Sequence, residues 1–115
     1  MLDNLAVIET ISLYNKHGWT LRRVLLTEDS KQRLNAPATV LFGPAEVRDS
    51  DLDALWFSRR SRPDAESWEL RRLTGTPFAL FETVPDGTAP EELESFLNDV
   101  EMRMIDSKWT GTDGL

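Results

Sequence analysis

Residues 53–84 hold three strand-like runs in close succession, and their spacing constrains the fold more than any other feature of the chain. The first run reads Asp-Ala-Leu-Trp-Phe-Ser-Arg-Arg. The second reads Glu-Ser-Trp-Glu-Leu-Arg-Arg-Leu and the third Pro-Phe-Ala-Leu-Phe-Glu-Thr-Val. Parallel neighbours need a crossover of a dozen or more residues. The breaks here are shorter: Arg60–Ala65, with the turn signal Pro63-Asp64, and Thr74-Gly75-Thr76. The three runs are therefore predicted to form an antiparallel meander.

A register follows from side-chain pairing. Facing Phe57 with Trp68 and Leu55 with Leu70 gathers four apolar side chains on one face. It also opposes Arg59 with Glu66 and Asp53 with Arg72, and turns Trp56 to the other face near Glu69 and Arg71. Phe78-Ala79-Leu80-Phe81 is apolar on both faces, as in a strand covered on both sides or covered on one by a partner. The register of this last hairpin stays open by one residue.

The flanks are helical at both ends. Val7, Ile8, Ile11 and Tyr14 follow the spacing of one buried helical stripe over residues 3–17. Asp3 is placed as its N-cap, with Gly18 just beyond His17 as the left-handed stop. Residues 19–26 alternate as a strand, with Trp19, Leu21 and Leu25 on one face. Thr27 caps a short helix over Glu28–Leu34, Ala38–Phe42 reads as a further strand, and Ala45–Arg48 as an edge strand or loop. After the turn Pro85-Asp86-Gly87, the capping box Thr88-x-x-Glu91 opens a helix over 89–106. Leu93, Phe96, Leu97, Val100 and Met104 form its apolar stripe.

Composition bounds the class. The 115 residues suit one domain; 40% are hydrophobic and 29% charged, as in ordinary globular chains. No run approaches the roughly 18 apolar residues of a membrane span, and the N-terminus carries no signal-peptide pattern. With no cysteine, disulfides and thiolate chemistry are excluded, and a reducing cytoplasm is the simplest compartment. The net charge of -7 is uneven. Residues 19–75 carry ten bases against nine acids, while residues 76–115 carry two bases against nine acids. Such a chain repels phosphate backbones, which weighs against nucleic acid as a partner.

Each candidate site has a competing structural role. Asp49-x-Asp51-x-Asp53 opens like a calcium loop, but Ala54 and Arg60 stand where that loop needs Gly and Glu. It reads as an acidic turn, and no metal or cofactor is expected. His17 reads as a helix C-terminal residue with no catalytic partner. Trp56, Arg59, Arg60, Arg62, Arg71 and Arg72 are the candidate ligand-binding set, a guanidinium patch for carboxylate or phosphate beside an indole. Cross-strand ion pairs with Asp53, Asp64, Glu66 and Glu69 are the competing use of those arginines. Glu91, Glu92, Glu94, Asp99 and Glu101 form an acidic helix face, open to solvent or to a basic protein. Trp56, Phe78, Leu80 and Trp109 are the candidate interface residues. There is no phosphate loop, nucleophile elbow or zinc-binding spacing, so no catalytic residue is assigned.

The resulting expectation is an α+β, two-layer sandwich. A four- to five-stranded, mainly antiparallel sheet would carry the N- and C-terminal helices on one face. One domain would span residues 1–108, with 109–115 as a flexible tail. Aromatic surface left over on the second face argues for a homodimer. The leading functional reading is a small non-enzymatic binding module acting through protein–protein contacts. The alternative is a binder of, or enzyme for, an anionic small molecule, with its pocket near the arginine-rich hairpin.

Overall fold

A hairpin at the centre of the sheet organises the whole chain. In the computed structural model, which describes residues 3–34, 36–74 and 79–110 (the last four by backbone alone), the elements run in the following order. They are α1 (Asn4–Lys16), β1 (Thr20–Leu26), α2 (Glu28–Gln32), α3 (Ala38–Phe42), β2 (Glu46–Asp49), β3 (Ala54–Arg62), β4 (Ala65–Arg72), β5 (Ala79–Pro85) and α4 (Pro90–Thr110). The five strands form one sheet in the order β2-β1-β3-β4-β5. The pairs β1–β3, β3–β4 and β4–β5 are antiparallel, and β1–β2 is parallel. The parallel pair is the one joined by a long connection, through α2 and α3, as crossover geometry requires. The α+β class and the mainly antiparallel five-stranded sheet match the expectation from sequence. No helix among the described residues is long and apolar enough to cross a membrane.

The β3–β4 register differs by one residue from the expected one. Trp56 pairs with Leu70, Phe57 with Glu69 and Ser58 with Trp68. The turn contributes to this. Pro63 and Asp64 alone join Arg62 to Ala65, and an irregularity between Arg60 and Arg62 shifts the pairing again. A slip of one residue exchanges the faces of every side chain. Arg59 therefore opposes Ser67, Arg60 opposes Glu66 and Ala54 opposes Arg72. Asp53 precedes the strand; its Oδ1 accepts from the Thr27 N–H at 2.9 Å and its carbonyl from the Leu73 N–H at 2.8 Å.

The two terminal helices consequently take opposite faces, a correction to the single shared face expected. On one face, α4 lays Leu97, Val100 and Met104 on Leu25, Ala54, Trp56, Trp68 and Leu70. On the other, α1 lays Val7 on Val24, Leu26, Leu55 and Phe57, with Phe42 of α3 beside them. Every residue from Ala54 to Ser58 is buried, so β3 is covered on both sides. The chain has apolar groups for two cores, and burial of each large side chain is worth about 1.5–3 kcal/mol.

Local structure follows identifiable signals. Asp3 caps α1, accepting from the Leu5 N–H at 3.0 Å, and Thr27 caps α2, accepting from the Ser30 N–H at 3.2 Å. Ile8, expected in the buried stripe of α1, lies exposed. The segment Ala38–Phe42 forms a single helical turn in place of the expected strand. Pro37 starts it, Gly43 with φ +62 ends it, and the positions 38, 41 and 42 packed on the core have helical spacing. Thr88, expected to cap α4, instead donates its hydroxyl to the Pro85 carbonyl at 2.7 Å. The first helical bond runs from the Leu93 N–H to the Ala89 carbonyl.

A four-membered ion cluster ties α4 to the β1–β2 edge. Arg23 reaches Glu94 at 2.6 Å and Glu46 at 3.2 Å, and Arg48 reaches Glu46 at 2.9 Å and Glu94 at 3.1 Å. The Arg48 bond foremost holds Glu46 below the usual carboxylate range. For Glu94 burial pushes upward, yet the bonds from Arg23 and Arg48 together outweigh it and hold the carboxyl low. Both carboxyls bind protons less readily folded than unfolded. Their stabilisation is present above the unfolded carboxyl range, near pH 4.3, and is lost as pH falls through the folded values. Glu94→Gln is expected to cost about 1 kcal/mol at neutral pH, since Glu94 and Arg48 reach solvent and the largely covered Arg23 keeps Glu46 as a partner, and to flatten the loss of stability in acid. Urea unfolding across a pH series measures both; an acid limb as steep as that of the unsubstituted protein would contradict this role for the cluster.

Candidate functional site

The C-terminal end of α1 stands over β3 and β4 and closes one side of a cleft. Tyr14, on the buried stripe of α1, stacks on Phe57 with ring centroids 4.0 Å apart and planes at 12°. Gly18, at φ +86, reverses the chain between α1 and β1, a conformation that favours glycine. The reversal carries the Trp19 N–H back to the Tyr14 carbonyl at 3.0 Å. Trp19 then meets Tyr14 edge-on at 6.1 Å and Phe81 at 6.4 Å. The aromatic groups form a row from β3 across α1 to β5.

Charge enters from the sheet. Glu69 and Arg71 alternate onto the α1 face of β4, opposite Phe57 and Leu55. The Tyr14 hydroxyl donates to Glu69 Oε2, and Arg71 lies close enough to interact with the same phenol. Arg59 donates from Nη1 to the His17 carbonyl at 2.9 Å and holds its guanidinium 4.7 Å from the centre of the Trp19 ring. Leu13, Tyr14, His17, Trp19, Glu69 and Arg71 line an open cleft of about 270 Å³. Burial first, then the bond to Glu69 and its charge, push the Tyr14 phenol up to about 12. The phenol is thus a protonated donor committed to Glu69 at neutral pH. What the cleft offers a guest is aromatic surface beside guanidinium charge.

The six candidate ligand residues do not converge. Trp56 is fully buried under α4, its Nε1–H donating to Glu101 Oε2 at 2.8 Å. The one-residue register difference places it there and removes it from the surface. Alternation along the strands divides the arginines. Arg59 and Arg71 face α1, whereas Arg60 and Arg72 belong to the α4 face. Arg60 pairs with Asp86 at 2.9 Å, and Arg62 lies exposed at the hairpin tip. Of the candidate interface residues, Leu80 is half-buried at the edge of the α4-side core. Phe78 and the Trp109 side chain lie outside the described residues. The exposed aromatic of β5 is Phe81. The acidic turn also disperses: Asp49 pairs with Lys31 at 2.6 Å, while Asp53 is buried against Thr27.

Tyr14, Trp19 and Glu69 were not marked as site residues by sequence. Tyr14 was legible only as a core position of α1 and Trp19 only as the start of a strand. Their meeting depends on the Gly18 reversal and on the β3–β4 register. No family model matches the chain, and no curated protein or solved structure matches it.

Tyr14 is the chain's sole tyrosine, so its ionisation can be followed by phenolate absorbance without a second tyrosine contributing. In the folded protein the midpoint is expected near 12, against about 10 for a free phenol. Glu69→Gln should move it downward, since a neutral amide removes the negative charge that resists ionisation. A midpoint near 10 with far-ultraviolet circular dichroism still native would contradict the Tyr14–Glu69 contact.

Proposed function

We propose that this chain is a non-enzymatic binding module acting through protein–protein contacts, and that it pairs with a second copy of itself through its α1 side. The observation that carries this reading is the placement of exposed apolar groups. Leu5, Ile8 and Leu13 of α1, Val40 of α3 and Phe81 of β5 all lie on the α1 side of the sheet, with 42–70% of their surface open. Met102 is the other large apolar side chain so exposed among the described residues. Such residues scattered singly are ordinary, and it is their sharing one side of the sheet that supports an association surface there.

Charge favours that side for self-association. The α1 segment carries Glu9 and Lys16, which cancel. The α4 segment, on the opposite face, carries six acids against two bases. Two copies of an acidic chain meet with least repulsion where the acidic helix is turned away. Trp56 is buried under α4, so the apolar surface available for pairing is Phe81 and the outer face of α1. The absence of cysteine fits work in a reducing cytoplasm.

Light scattering coupled to size exclusion tests this. The unsubstituted chain is expected to elute with the mass of a dimer. Leu5→Glu combined with Leu13→Glu, at exposed positions, should give a monomer with unchanged circular dichroism. A monomeric parent chain at its highest soluble concentration, or a variant that stays dimeric, would overturn the reading.

A further inference from the structure

We propose that the cleft at the end of α1 binds a planar aromatic carboxylate, with Arg71 as the carboxylate's partner and Trp19 and Tyr14 as its aromatic walls. This goes beyond self-pairing, because it assigns a small-molecule site with its own chemistry. Arg22, Arg23, Lys31, Arg33, Arg48, Arg60 and Arg103 each have a carboxylate at ion-pair distance. Like Arg62 at the exposed hairpin tip, Arg59 and Arg71 have none among the described residues, although acids outnumber bases twenty to thirteen in the chain. These two are also the arginines that the α1 face brings to the aromatic row.

The local balance favours an anion. Glu69 is the cleft's one carboxylate, and its Oε2 already accepts from Tyr14. Arg71 and Glu69 balance within the lining, and Arg59, 4.7 Å from the centre of the Trp19 ring, adds a further positive charge at its edge in a chain of net charge -7. A guanidinium meets a carboxylate through two parallel hydrogen bonds, a planar geometry. The ring attached to that carboxylate then lies among rings, where offset and edge-to-face contacts are favourable. The volume of about 270 Å³ falls just below the usual range for drug-sized ligands, so a one- or two-ring acid fits and a dinucleotide does not. A tetrahedral phosphate would use the arginine and leave the aromatic walls idle.

Indole-3-carboxylate, indole-3-carboxamide and inorganic phosphate serve as probes of the intact chain, by calorimetry and by the Trp19 indole N–H resonance. The carboxylate is expected to saturate and to shift that resonance. The amide and phosphate should bind roughly tenfold or more weakly, the loss of one charge-assisted bond. Arg71→Gln should lose the same factor, while Arg60→Gln, on the opposite face, should not. Should Arg71→Gln fail to fold, the carboxylate–amide comparison on the parent chain decides alone. The proposal is overturned by an amide or phosphate that binds as tightly, by a folded Arg71→Gln that binds unchanged, or by a carboxylate that never saturates up to its solubility limit.

Discussion

The pairing of Trp56 with Leu70 is the contact on which the rest of the molecule depends. It sends the indole, Leu70 and Trp68 to one side of the sheet and Leu55 and Phe57 to the other. Each face then needs its own cover, and the two ends of the chain supply one helix apiece. A neighbouring register would bury Glu69 and Arg71 among the α4-side apolar groups. Uncompensated burial of a charge costs far more than a large apolar side chain gains. The register is therefore held by the whole α4-side core and not by the hairpin turn alone.

The division of faces is also a division of charge and exposure. On the α4 side, arginines are consumed internally. An irregularity in β1 between Leu21 and Arg23 turns both Arg22 and Arg23 toward this face. Arg22 covers Trp68 at 4.9 Å and donates to Ser58 Oγ at 2.9 Å, and Arg23 anchors Glu94. Irregular pairing of this kind commonly re-aims side chains. On the α1 side, the helix covers β1 and β3 and leaves Phe81 of β5 open, with Arg59 and Arg71 beside it. Both the proposed self-pairing surface and the proposed carboxylate cleft belong to this side.

Much of the fold was legible because short loops and helical spacing are local properties. The meander, the stripe Leu97–Val100–Met104, and the caps Asp3 and Thr27 all follow from neighbouring residues. What was not legible depended on groups distant in sequence. Ala54-Leu55-Trp56-Phe57 is a continuous apolar run, and alternation cannot say which face each member takes when both are buried. That run did contain the signal for two covering layers. Ala38–Phe42 is rich in strand-favouring residues, but its packing on the core made it helical. The candidate arginine patch failed as a unit because neighbours along a strand point to opposite faces. Arg59 and Arg71 survive together for the same reason. The partnership of Tyr14 with Glu69, 55 residues apart, had no sequence signature at all.

The face assignment of Trp56 is the claim most directly open to measurement. In a nuclear Overhauser spectrum of the folded chain, the Trp56 ring should show contacts to Val100 and Met104, and the Phe57 ring to Tyr14. Contacts from Trp56 to Tyr14, with Phe57 beneath α4 instead, would contradict the register and with it the two-sided architecture.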